Sequence, residues 1–83
     1  MLIYLKGREQ RFGFSVSSKV GNAVTRNRIR RYLREDVRRL RTQLKPGKYV
    51  FIARPALKTA AHAELSRELK QLLRRAKLMK EDE

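Results

Sequence analysis

The chain has no cysteine, which excludes disulfides and thiolate metal sites and fits an intracellular protein. It has one histidine and only 8 acidic residues in 83. That histidine, His62, has no second His and no Asp or Glu at a ligand spacing. It reads as a surface residue near a helix start, not as a metal ligand or an acid–base group. The acids form no cluster of the kind that holds catalytic metal. Ser15, Ser17 and Ser18 have no partner base, so nucleophilic catalysis has no support. No glycine-rich loop matches a nucleotide cradle. No apolar run approaches the length of a spanning helix, and nothing at the N-terminus reads as a signal peptide. The sequence therefore offers no catalytic residue, no metal site and no membrane segment.

What it has in excess is positive charge: 22 Lys plus Arg, a formal net charge of +14. Eighty-three residues suit a single domain with no room for a second core. Such a charge points to nucleic acid or an anionic membrane surface, and the lack of a long apolar run weakens the second. The charge is densest from Lys19 to Arg41, K-V-G-N-A-V-T-R-N-R-I-R-R-Y-L-R-E-D-V-R-R-L-R, where eight arginines stand against Glu35 and Asp36. On a helical wheel Ile29, Leu33, Val37, Leu40 and Leu44 form one apolar stripe. Arg30, Arg31, Arg34, Arg38 and Arg41 fall beside it. One face of this helix is buried, and one flank of guanidinium groups is left for a partner. A merely solvated face would mix signs at four-residue spacing. Arginine's planar fork of donors fits phosphate, so this flank reads as a polyanion site. Arg26, Arg28 and Arg30 are expected to form a positive focus with the helix N-terminus.

Elsewhere the elements are short. Leu2–Leu5 reads as a strand, and Lys6–Gln10 as a hairpin connection. From Arg11 to Ser17 the residues alternate, with Phe12, Phe14 and Val16 toward a core and Arg11, Gly13, Ser15 and Ser17 away from it. Gly21-Asn22 opens the long helix, capped by Asn22 or Thr25. Lys45-Pro46-Gly47-Lys48 ends it. Tyr49–Ala53 is a continuous apolar run, expected to be a central strand covered on both faces. Thr59 is the expected N-cap of a last helix from about Ala60 to Ala76, with Leu65, Leu69, Leu72, Leu73 and Ala76 buried. The tail Lys80-Glu81-Asp82-Glu83 is expected to be disordered, leaving an ordered domain of about residues 2–78.

The stretch S-V-S-S-K-V-G-N-A-V-T-R-N-R-I-R-R-Y-L-R-E follows a strand and precedes a strand ending in I-A-R-P and a final helix. In residue types and spacing it resembles the protein subunit of bacterial ribonuclease P, and the resemblance covers about Leu2 to Leu78. It implies an α+β fold similar to a small-subunit ribosomal protein domain: a small sheet, a long basic helix in a left-handed strand–helix–strand crossover, and a C-terminal helix. It implies a non-catalytic subunit that pairs in the cytoplasm with a catalytic RNA and assists removal of the 5′ leader from precursor tRNA. The RNA, with bound Mg²⁺, would supply the chemistry, and the protein alone would bind no cofactor. The positions matching the family's RNA-facing motif are Arg26, Asn27, Arg28, Arg30, Arg31 and Arg34, with Arg38 continuing the flank. Tyr4, Ser15, Ser17 and Lys19 would line the sheet side of a leader cleft. The family's N-terminal helix and first short strand have no counterpart here, so apolar sheet surface is expected to be exposed.

Other readings share the basic helix. A small ribosomal protein is the alternative of a different class, and co-purifying RNA separates the two. A DNA-reading helix is disfavoured, because the basic helix carries its own apolar stripe and no helix precedes it. A stand-alone nuclease lacks carboxylates for metal.

Overall fold

The computed structural model describes residues 1–80, and Glu81, Asp82 and Glu83 of the expected disordered tail lie outside it. Strands β1 (Leu2–Lys6) and β2 (Gln10–Ser15) precede helix α1 (Ala23–Leu40), strand β3 (Gly47–Ile52) and helix α2 (His62–Arg75). Three short 3₁₀ turns, Ser18–Val20, Arg41–Gln43 and Pro55–Thr59, join them.

The sheet order is β1-β3-β2. The segment from Lys6 to Gln10 is therefore not a hairpin connection between paired strands. β3 lies between the first two strands, antiparallel to β1 (Tyr4 opposite Tyr49) and parallel to β2 (Phe12 opposite Tyr49). The physical reason is local to β3. It is the most buried strand, and the central slot pairs its backbone N–H and C=O groups on both edges. β2, α1 and β3 form a crossover between adjacent parallel strands.

Only one sheet face is covered, which corrects the expectation for β3. Gly47, Tyr49 and Phe51 are buried beneath the helices, whereas Lys48 is exposed and Val50 and Ile52 are half-buried. Both helices spend their apolar stripes on the Tyr49–Phe51 face, and no further helix is present among the described residues. Ile3 and Leu5 of β1 are 47% and 60% exposed on the open side, the apolar sheet surface expected from sequence.

The core joins Tyr49 and Phe51 to Ile29, Leu33, Val37, Leu40 and Leu44, and to Leu65, Leu69 and Leu73 of α2. Cutting Leu33 to Ala at its centre would cost about 2–5 kcal/mol. Asn22 is the α1 cap: its side chain accepts from the Thr25 N–H at 2.9 Å. Gly21 before it has φ +156°, and a Cβ there would press on Thr25 at 3.0 Å, so G-N is fixed by conformation and by space. At the other end of α1, Gln10 donates to the carbonyls of Arg41 (2.6 Å) and Leu44 (2.9 Å), satisfying acceptors a helix end leaves open.

Two details of α2 differ from expectation. Thr59 lies in the 3₁₀ turn, and the helix starts at His62 after Ala61, with no side-chain cap. Pro55 at the first position of that turn favours a separate short turn over an early start to α2. Ala76 is exposed and Leu72 only half-buried. The chain leaves the helix through Lys77 at φ +58°, with Leu78 N–H bonded to the Leu73 carbonyl and Lys77 N–H to that of Arg74. This is a Schellman stop, and Leu78 rather than Ala76 folds back into the core.

Candidate nucleic-acid interface

α1 sorts its charges by side. Its two acids face α2. Asp36, 5% exposed, accepts from Ser66 Oγ at 2.7 Å and pairs with His62 Nε2 at 3.0 Å. Glu35 lies 3.8 Å from His62 Nδ1. The arginines have no such partners. Among the described residues, none of Arg26, Arg28, Arg30, Arg31, Arg34 or Arg38 forms an ion pair with Asp or Glu. The fold has turned the only nearby carboxylates away and left the guanidinium groups uncompensated.

The expected site residues do not form one cluster. Arg34, Arg38 and Arg41 run along the β2 side of α1, where with Phe12, Phe14 and Val37 they border one hollow. Arg30 belongs to the same side: it donates to Asn27 Oδ1 at 3.2 Å and approaches the Val16 carbonyl at 3.5 Å. Arg28 turns the other way and donates to the Lys58 carbonyl at 2.8 Å, in the turn before α2. Arg31 lies 5.6 Å over the Tyr32 ring. Arg26 is half-buried, and the Nε atoms of Arg26 and Arg28 are enclosed without a hydrogen-bond partner. The single focus of Arg26, Arg28 and Arg30 is thus split, with Arg28 and Arg30 held on opposite sides of the helix.

Of the four residues expected at a leader cleft, Tyr4 stands apart. It sits on the helix-covered side, edge-on to Tyr49 at 4.9 Å, and its hydroxyl donates to the Pro46 carbonyl. Ser15 pairs in register with Ile52 on the open face. Ser17 and Lys19 are exposed at the end of β2 and in the following turn.

The grouping missed from sequence is Asp36, His62 and Ser66. His62 is not a bare surface residue: it is half-buried and stacked on Tyr32 at 4.3 Å. A signal was present, since Asp36 falls seven residues after Ile29 and three after Leu33, inside the apolar stripe. A carboxylate buried there needs donors. Among the described residues no group of three or more His, Cys, Asp or Glu could hold a metal ion. No helix among them is long and apolar enough to cross a membrane.

A small α+β domain with an unneutralised arginine helix over a three-stranded sheet is the architecture of a polyanion-binding protein. The particular family follows from comparison: the family model described as Ribonuclease P matches residues 1–77, and the chain belongs to that family. The ribonuclease P protein component of an Exiguobacterium species is 44% identical over 68 residues, covering 82% of this chain and 60% of the relative. That of a Nitratiruptor species is 39% identical over 80 residues, 96% of this chain and 73% of the relative. Among solved structures, a mutant Staphylococcus aureus RNase P protein superposes with a TM-score of 0.88 at 31% identity, covering 94% of this chain and 69% of that one. The Thermotoga maritima RNase P protein gives 0.75 at 28% identity, over 89% and 72%. The chain thus spans between 55% and 74% of the length of the curated relatives it matches. Membership decides against the small ribosomal protein.

Proposed function

We propose that this chain is the protein partner of the catalytic RNA of ribonuclease P, acts in the cytoplasm and assists removal of the 5′ leader from precursor tRNA. The observation that carries the reading is the α1 flank: arginines without carboxylate partners, in a chain that belongs to this family. Arg30, Arg34 and Arg38 would lie along the RNA backbone on the β2 side, with Arg26, Asn27, Arg28 and Arg31 about the helix start and back. Each guanidinium displaces condensed counterions and can fork onto phosphate oxygens. Ser15, Ser17 and Lys19 are the exposed positions available to a leader. Cleavage chemistry, with its Mg²⁺, belongs to the RNA in this reading, and the protein's task is to bind and position.

Reconstitution tests it. Added to a bacterial ribonuclease P RNA at limiting Mg²⁺, the chain is expected to raise the rate of precursor-tRNA cleavage, because bound arginines offset phosphate repulsion that the scarce ions cannot. Stimulation no greater than that of polylysine at equal charge would refute a specific partnership.

A further inference from the structure

We propose that a second hollow, between α2, the end of β3 and the turn that joins them, is a binding site for a small monocarboxylate with an aromatic or branched apolar body. Its volume is about 250 Å³. Pockets for drug-sized ligands begin at about 300 Å³, so this one suits one ring or one short branched chain. It lies beside Met1, at the start of β1, and none of the arginines of the α1 flank borders it.

The path of the chain leaves this space open. β3 ends at Ile52, and the Pro55–Thr59 turn delays α2 until His62. Leu57 of that turn and Leu72 of α2 line the hollow and stay half-buried without filling it. Leu33, Phe51, Leu65 and Leu69, each at most 5% exposed, form its floor, so the floor is the hydrophobic core itself. These side chains offer water no hydrogen-bond partner, and an apolar body would gain by replacing it.

The rim selects the charge of the occupant. Arg54 and Arg75 border the hollow, are exposed, and form no ion pair with Asp or Glu among the described residues. Glu68 is the one carboxylate on the same rim, and it acts on the Met1 ammonium, which donates to the Ile52 carbonyl at 2.9 Å. Two guanidinium groups thus face one acid that already has a cation beside it. A carboxylate matches the planar fork of a guanidinium with two parallel hydrogen bonds. A cationic ligand would meet both arginines, and a neutral one would leave the stronger, charge-assisted bonds unmade. The fitting occupant therefore has its apolar body on Phe51 and Leu69 and its carboxylate at the Arg54–Arg75 mouth.

The site is independent of RNA binding and is tested on the chain alone. The probes are phenylacetate, its neutral amide phenylacetamide, and acetate, added at equal ionic strength. Methyl resonances of Leu65, Leu69 and Leu72 report occupancy of the hollow. Phenylacetate is expected to shift them saturably and to bind about fivefold or more tightly than the amide, the margin by which a hydrogen bond to a charged group exceeds a neutral one. Acetate carries the charge without the ring and is expected to leave these methyls unshifted, which separates the hollow from anion binding on α1. In the double variant R54Q/R75Q, changed only at exposed positions, the preference for phenylacetate over phenylacetamide is expected to vanish while the amide binds as before. Ala56→Leu, at an exposed position bordering the hollow, is expected to weaken both. No saturable shift with either aromatic probe would overturn the site. Equal affinity for phenylacetate and its amide, or a preference that survives R54Q/R75Q, would overturn the role of the arginines and with it the carboxylate assignment. Acetate acting as strongly as phenylacetate would show anion binding without an apolar body and overturn the proposal as well.

Discussion

The buried carboxylate on α1 offers the sharpest test of what holds the two helices together. Asp36 accepts from Ser66 Oγ and pairs with His62 Nε2, and its side chain is only 6% exposed. A hydrogen bond to a charged group contributes about 1.5–3 kcal/mol. Ser66→Ala is expected to cost about that much. His62→Ala should cost slightly more, since it also removes the ring stacked on Tyr32. Removing both donors strands a buried charge, for which about 3–5 kcal/mol is typical. A domain of 83 residues has roughly 4–12 kcal/mol in total. The double variant H62A/S66A is therefore expected to lie near the edge of folding. The decisive step is a reversal of sign. In the wild-type background Asp36→Leu destabilises by removing both bonds. In the H62A/S66A background the same change removes only an uncompensated charge and fills the site with apolar atoms, so it should restore stability. Urea unfolding of wild type and the five variants, with the slope m unchanged, reads each difference directly. A double variant within about 0.5 kcal/mol of wild type would refute the argument, as would Asp36→Leu costing the same in both backgrounds.

Three further outcomes follow from the same geometry. The Tyr49 hydroxyl, fully enclosed beneath the helices, is pushed up to about 12 by burial first and by Tyr4 second. Its contribution is therefore fully present below pH ~10 and is lost as pH rises toward 12; absorbance titration should show a late tyrosinate that Tyr49→Phe removes, and its absence would contradict the burial. Binding to RNA should weaken steeply with salt, and Arg30→Ala with Arg31→Ala should flatten the log–log slope by roughly 1–2 units, an unchanged slope arguing against phosphate contact. Sulfate should raise the melting temperature more than chloride at equal ionic strength, because it binds the folded arginine cluster preferentially; equal effects would count against a folded-state anion site.

What could be read from sequence was what is local. The α1 stripe from Ile29 to Leu40 was legible because a single helix turns fixed spacings into one face; Leu44 is buried too, but past the helix end, in extended backbone after the 3₁₀ turn. Asn22 was legible as one of two caps, and the geometry selects it. Strand pairing was not legible, because it is decided between segments more than 30 residues apart. The polar run around Gly7 has turn chemistry whether or not its flanking strands pair, so it could not reveal that β3 takes the slot between them. The same run-based reasoning overstated β3: a continuous apolar segment is compatible with a half-open sheet when the pairing strands and helices fill only one side. In α2 the stripe drifted from Ala76 to Leu78 because a residue at positive φ ended the helix, and Lys77 gives no sequence cue for that as a glycine would. Within the site, helix spacing placed Arg30, Arg34, Arg38 and Arg41 on one flank. It could not show that Arg28 would be taken up by a carbonyl from the turn before α2.

These assignments bear on why so basic a helix is stable at all. Arg26, Arg30, Arg34 and Arg38 repeat at four-residue spacing, which stacks three consecutive like-charge pairs on α1. Each costs about 0.2–0.5 kcal/mol, near 1 kcal/mol in all. Glu35 and Asp36 could have relieved this had they faced the flank, but they are engaged with His62 and Ser66 on the other side. Against that cost stand four buried apolar residues of α1, Ile29, Leu33, Val37 and Leu40, each contributing about 1.5–3 kcal/mol, so roughly 6–12 kcal/mol of burial holds the helix in place. Burial outweighs repulsion by an order of magnitude, and the helix needs no carboxylates on its exposed flank. The arginines can therefore stay without carboxylate partners in the folded chain. The flank depends on the sheet beneath it: loosening the contact of α1 with Tyr49 and Phe51 would disperse the guanidinium groups even with every arginine intact.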